Sequence, residues 1–116
     1  MVTPLEGCLV MTTTSDAAEA DRLADDLIRQ GLAACVQIAA VNSHYMWEGR
    51  LERQDEQLLL IKTSLARYEQ VEAYLRLNHS YSLPEIARWT MSGASPDYLR
   101  WLTDNSRGAN ESAVES

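Results

Sequence analysis

Apolar side chains recur along this chain with two different periods. In SDAAEADRLADDLIRQG (15–31), Ala20, Leu23, Ala24, Leu27 and Ile28 follow steps of three and four, which gathers them on one face of a helix. Asp16 and Glu19 have the spacing of an N-cap and its third helical residue, and Gly31 falls where a C-terminal cap belongs. The flanking runs read as strands. GCLVMTTT (7–14) is short and β-prone. LAACVQIAAV (32–41) begins a β segment that continues to Trp47, Glu48-Gly49 supplies a turn, and RLERQDEQLLLIKT (50–63) returns. So tight a connection makes the two an antiparallel hairpin. Ser64 is placed to cap a second helix that ends near Asn78, with Tyr68, Val71 and Leu75 on one face. PEIARWTM (84–91) reads as a strand opened by Pro84, where a missing N–H is tolerated. In SPDYLRWL (95–102), Ser95 is an N-cap, Pro96 sits in the first turn and Asp97 faces the positive end of the dipole.

The order is β-α-β-β-α-β followed by a terminal helix. Right-handed crossovers fold that order into an α+β, ferredoxin-like sandwich, with strand order 4-1-3-2 and both crossover helices on one face of the sheet. One domain over residues 1–104 accounts for the elements. Beyond Leu102 the only large apolar residue is Val114, so 105–116 is expected to be a disordered tail. The hairpin strands are much longer than the others. At about 3.3 Å per residue, a dozen residues span roughly 40 Å, so the ribbon should project beyond the sheet. A free two-stranded ribbon is marginal in water, and Tyr45 and Trp47, on one face near its tip, would stay exposed. Docking the ribbons of neighbouring copies around a three-fold axis solves both problems and predicts a homotrimer.

Charge narrows the partners. With 17 acidic against 10 basic residues and a net charge of −7, the chain lacks the clustered Lys and Arg that nucleic acid or an anionic membrane needs. A cation fits the sign. The apolar run at Leu58–Ile61 is far too short for a membrane span, and no signal peptide is visible, so a cytoplasmic location is expected. The chain has no Phe to stack on RNA bases, and no GxxxxGK[ST], GxGxxG or HExxH motif. TTTSDAA after the first strand offers neither Gly nor Arg to cradle an anion. The expectation is a protein that is not an enzyme.

Two cysteines make no disulfide framework. The expected strand order puts a strand between Cys8 and Cys35, and two strand spacings are about 9.6 Å, beyond the roughly 7 Å reach of a disulfide. Both should be free thiols. The densest chemistry is HSYSLPEI (79–86). His79 is a candidate transition-metal ligand, with Glu85, Tyr81, Met11 or a cysteine as partners, or else a helix-terminal residue favourable to the dipole. Lys62 reads as a partner for Glu85 across the sheet, or as an anion ligand.

LAACVQI (32–38), YMWEGRLE (45–52), LLIKT (59–63), HSYSLPEI (79–86) and SPDYLRWL (95–102) stand in the order and spacing of the CutA family, the divalent-cation tolerance proteins, which the chain resembles over residues 8–104. The resemblance implies a small cytoplasmic trimer of ferredoxin-like fold, similar to the nitrogen-regulatory PII proteins. It also implies a non-enzymatic role in tolerance to copper and other divalent metals. Ser80 and Ser82 replace a proline and an often acidic residue of the family pattern, Gln37 replaces an Asn, and Met11 stands where some members carry a cysteine. These departures imply weak binding of copper or another divalent cation at Met11 and His79, with Lys62, Tyr81 and Glu85 holding a small ligand at an inter-subunit cleft. Two rival expectations are a PII-like module that binds a metabolite and an unidentified partner protein, and a small hydrolase using His79 and Glu85 as an acid–base pair.

Overall fold

The protein's structure, a computed structural model, is described over residues 5–108. Its elements are β1 (Gly7–Thr14), α1 (Ala17–Arg29), β2 (Cys35–Trp47), β3 (Arg50–Ser64), a 3-10 turn (Leu65–Arg67), α2 (Tyr68–Asn78), β4 (Ala87–Thr90) and α3 (Pro96–Asp104). The four strands form one antiparallel sheet in the order β2-β3-β1-β4, the expected ferredoxin-like arrangement read from the other edge. Cys8 lies opposite Thr63 and Cys35 opposite Lys62, so β3 separates the cysteines and adjacent register positions put them on opposite faces. Both are free thiols.

Alternation along β1 and β3 decides where the core sits. Cys8, Val10, Leu59 and Ile61 point to one face and close on Ala20, Leu23 and Leu27 of α1 and Val71 and Leu75 of α2. Ile28, expected on that apolar face, is instead 43% exposed. The opposite face carries Leu9, Met11, Leu58 and Leu60, all half-buried, with no helix over them. Only its Gly7 end is covered. A Cβ there would lie 2.7 Å from Leu102 of α3, which places that helix on this second face.

Four boundaries differ from the sequence pattern, each for a hydrogen-bonding reason. β2 starts at Cys35 rather than Leu32 because the Leu32 and Ala33 amides both donate to Leu27 O, closing the end of α1 around Gly31 at φ +68. Ser64 ends β3 without capping α2, and a 3-10 turn intervenes. β4 starts at Ala87, not Pro84, because the preceding segment leaves the sheet to reach the ends of β1 and α1 and the middle of β3. The tail expected to be disordered from residue 105 is docked through Gly108. Ser106 is buried, its hydroxyl accepts from Ser64 N–H, Arg67 donates to the Ser106 and Arg107 carbonyls, and Gly108 N–H donates to Gly31 O. Residues 109–116 lie outside the described residues.

The hairpin does project. β3 pairs with β1 only from Gln57 onward, so the pairs from Val41–Glu56 to Trp47–Arg50 have β2 and β3 alone. The turn Glu48-Gly49 has positive φ at both residues, 50° and 78°, the mirror-type turn whose twist suits a two-residue hairpin. The long axis of the molecule reaches 52 Å.

Candidate functional site

His79 is the C-terminal cap of α2. It is extended, with its N–H donating to Leu75 O at 3.0 Å. Its side chain is completely buried. Tyr81 N–H donates to Nδ1 at 3.0 Å, which requires the lone pair there, so Nε2 carries the proton and donates to Thr13 O at 2.8 Å. Both nitrogens are therefore committed to backbone, and neither keeps a lone pair for a metal or for proton transfer. The ring serves as a spacer between the end of β1 and the Tyr81 loop, against whose phenol it packs at 4.9 Å.

Glu19 completes this corner. Asp16 caps α1 through Ala18 N–H, but Glu19 does not close the expected capping box. Its carboxylate instead accepts from the Thr14 hydroxyl and from both the N–H and the hydroxyl of Ser80, at 2.7 Å each for Ser80, with Arg22 at 3.8 Å. Burial alone would push this carboxyl up; the hydrogen bonds from Thr14 and Ser80 outweigh it and hold the group below the usual carboxylate range. Ser80, a departure from the family pattern, is thus the residue that ties the loop to α1.

Beyond this anchor the loop from Tyr81 to Glu85 borders an open cavity of about 570 Å3 at the foot of the hairpin. β1 contributes Thr13, β2 contributes Ser43, His44, Tyr45 and Trp47, and β3 contributes Gln54 and Glu56. Tyr81, Leu83 and Glu85 come from the loop itself. The polar groups form a chain. Tyr45 donates to Gln54 Oε1 at 2.7 Å, the Gln54 amide reaches the Tyr81 oxygen at 3.4 Å, and the Tyr81 hydroxyl donates to Glu56 Oε2 at 2.7 Å. Burial, then the Glu56 carboxylate, pushes the Tyr81 phenol up, so it remains a proton donor.

Of the residues singled out from the sequence, the fold brings Tyr81 and Glu85 to this cavity. Lys62, Met11 and His79 do not line it. Lys62 stands between Leu9 and Cys35, and no ion pair joins it to Glu85 among the described residues. Met11 lies between Leu60 and Ala87 on the uncovered face. No group of three or more His, Cys, Asp or Glu able to hold a metal ion occurs among the described residues. Sequence reasoning missed Gln54 and Glu56, although the turn gave the signal. Pairing Trp47 with Arg50 and counting back in twos puts Ser43 beside Gln54 and Val41 beside Glu56.

Known proteins agree with this architecture. The rice CutA1 crystal structure superposes with a TM-score of 0.86 at 33% identity, covering 91% of this chain and 98% of that one. A divalent-cation tolerance protein CutA from Pectobacterium atrosepticum is 37% identical over 88% of this chain and 94% of its own length. A chloroplastic CutA from Arabidopsis thaliana is 34% identical over 85% of this chain, which spans 55% of that longer protein. The family model described as CutA1 divalent ion tolerance protein matches residues 8–105, and the chain belongs to that family.

Proposed function

We propose that the protein acts as a non-enzymatic homotrimer in the response to divalent metal ions, copper among them, and that each subunit receives a small ligand in the cavity at the foot of its hairpin. Family membership supports the metal-response part, since the relatives are named for divalent-cation tolerance. The uncovered face of the sheet supports the assembly. Leu9, Met11, Leu58 and Leu60 line it, Trp89 beside them is 51% exposed, and the hairpin beyond leaves Tyr45, Met46, Trp47 and Leu51 exposed. Apolar side chains left open on the sheet and on both faces of the ribbon support an interface with neighbouring copies. Copies docked through it would place the cavity at a subunit border. The unpaired thiols support a reducing, cytoplasmic setting.

His79 is occupied by backbone, so metal binding through this chain alone is expected to be weak and readily reversed. Native mass spectrometry of unchelated protein tests both parts. The expected species contains three 13.0 kDa chains, and any copper it carries is lost on dialysis against a chelator. A monomer at micromolar concentration would overturn the assembly, and a stoichiometric zinc complex that survives chelation would overturn the weak-metal reading.

A further inference from the structure

We propose that the cavity at the foot of the hairpin is a receptor for a small organic ammonium ion, an alkylamine or short diamine, held by Glu56 and Glu85 between aromatic rings. The inference rests on the reading of that cavity as a ligand site and names the chemical class of its ligand. Glu56 is its centre. The residue is only 6% exposed, and one carboxylate oxygen accepts from Tyr81. The other oxygen accepts no hydrogen bond among the described residues, yet the only sealed side-chain polar atom without a partner there is Thr12 Oγ1. The second oxygen of Glu56 therefore opens onto the cavity. Glu85 lines the same space and makes neither a hydrogen bond nor an ion pair among the described residues. A buried carboxylate with a free oxygen, facing a second carboxylate's cavity, lacks a counter-charge.

The lining decides which counter-charge fits. It contains no lysine or arginine, and its one basic residue, His44, stands against two carboxylates, so phosphates and organic acids would meet a net excess of like charge. It also contains Tyr45, Trp47 and Tyr81, whose ring faces attract cations. The volume of about 570 Å3 suits a small molecule rather than a bare ion. Cages for divalent ions gather several convergent oxygens or nitrogens, and no such group is present among the described residues. An ammonium needs less. Its N–H groups can donate to the two carboxylates while its methylenes lie along Leu83 and the rings.

Calorimetry on the assembled protein tests this with n-butylammonium and 1,4-diaminobutane, against butyrate, succinate and Mg2+ as probes of similar size or charge. The expected result is saturable binding of the two amines, the diamine more tightly, and none of the anions. Glu56→Gln and Glu85→Gln, both nearly isosteric, should each weaken amine binding roughly tenfold or more, the scale of one charge-assisted hydrogen bond. Circular dichroism and light scattering confirm that these variants fold and assemble. Binding of succinate or Mg2+ but not of amines, lost in the same variants, overturns the ammonium inference and keeps the cavity as a ligand site. Silence toward every probe overturns both. If instead the two Gln variants dissociate the assembly, the counter-charge comes from a neighbouring copy and the inference falls.

Discussion

Glu19 and Glu56 are almost equally buried, at 8% and 6% exposure, yet their surroundings differ completely. Glu19 sits where the N-terminus of α1, the end of β1 and the 79–80 turn converge, and both of its oxygens are engaged. Glu56 sits where β3 leaves the support of β1, and one of its oxygens is engaged. Position in the sheet explains the difference. Residues on the helix side close on neighbours from several elements. On the open side of the ribbon, only a loop reaches over. A saturated carboxylate holds structure together, whereas a half-satisfied one facing a cavity has capacity left for a ligand.

The largest expected effect tests that distinction directly. Glu19→Ala strips the acceptor from the Thr14 and Ser80 hydroxyls and the Ser80 N–H, and should cost about 2–4 kcal/mol in chemical denaturation, since a buried donor left unmade costs about 1–3 kcal/mol and Ser80 recovers part of this from water. Glu56→Ala should cost less than about 1 kcal/mol, because the Tyr81 oxygen still accepts from the Gln54 amide and its proton can turn to water in the cavity. Equal costs would erase the contrast between strut and site.

Next in size comes the comparison of rings at the two ends of the molecule. Trp47 stands on the unsupported ribbon and Trp101 on α3, 46% and 45% exposed in a single chain. If neighbouring copies cover the ribbon, Trp47→Ala should weaken assembly by about 1–3 kcal/mol, the value of burying a large side chain, whereas Trp101→Ala should change it little. Light scattering over a dilution series measures both. A greater loss from Trp101→Ala would move the interface to the α3 end.

The same contrast governs what the sequence made legible. The strands, the α1 and α3 caps and the projecting ribbon follow from period and turn chemistry, which are local, and Tyr45 and Trp47 do share a face. Glu19 was misread because its position in the helix suggested a capping box, while its carboxylate turns to Thr14 and to Ser80, 61 residues away. His79 looked like a ligand because its chemistry is versatile. Its two acceptor and donor bonds come from backbone at Thr13 and Tyr81, and backbone partners leave no mark on side-chain identity. Glu56 was overlooked as one charge among many in RLERQDEQ, since only the termination of β1 at Thr14 leaves it beside a cavity.

Acid separates the two regions more gently. Glu19 is held below its ordinary value in the folded chain, so its hydrogen bonds stabilise the fold fully above the unfolded value near 4.5 and are lost as pH falls through the folded value. Stability should therefore decline below about pH 4.5 with a contribution from this one proton of at most about 1.4 kcal/mol per pH unit. Glu19→Gln should flatten the decline in that window, and Glu56→Gln should leave this contribution in place. Denaturation midpoints between pH 3 and 7 (about one measurement per half unit is enough) distinguish the variants. A Glu19→Gln profile parallel to the parent would mean that the corner is not what acid disrupts.

The smallest effect leaves stability unchanged and reads the two faces of the sheet through their thiols. Cys8 is wholly buried beneath the helices, and burial pushes its thiol up despite the nearby Arg88 guanidinium. Low thiolate population and no access both oppose reaction, so a thiol reagent should modify Cys8 only as fast as the chain unfolds. Cys35 is half-buried on the open face, beside Lys62. Reagent should reach it in the folded subunit, more slowly as protein concentration rises and copies cover that face. The Cys8 rate should not depend on concentration, because its cover belongs to its own chain. Mass spectrometry of reagent-labelled peptides across a hundredfold dilution, roughly 1 to 100 μM, measures the two rates side by side. A Cys35 rate indifferent to dilution, in protein that light scattering shows changing its assembly state, would mean that the copies meet through some other surface.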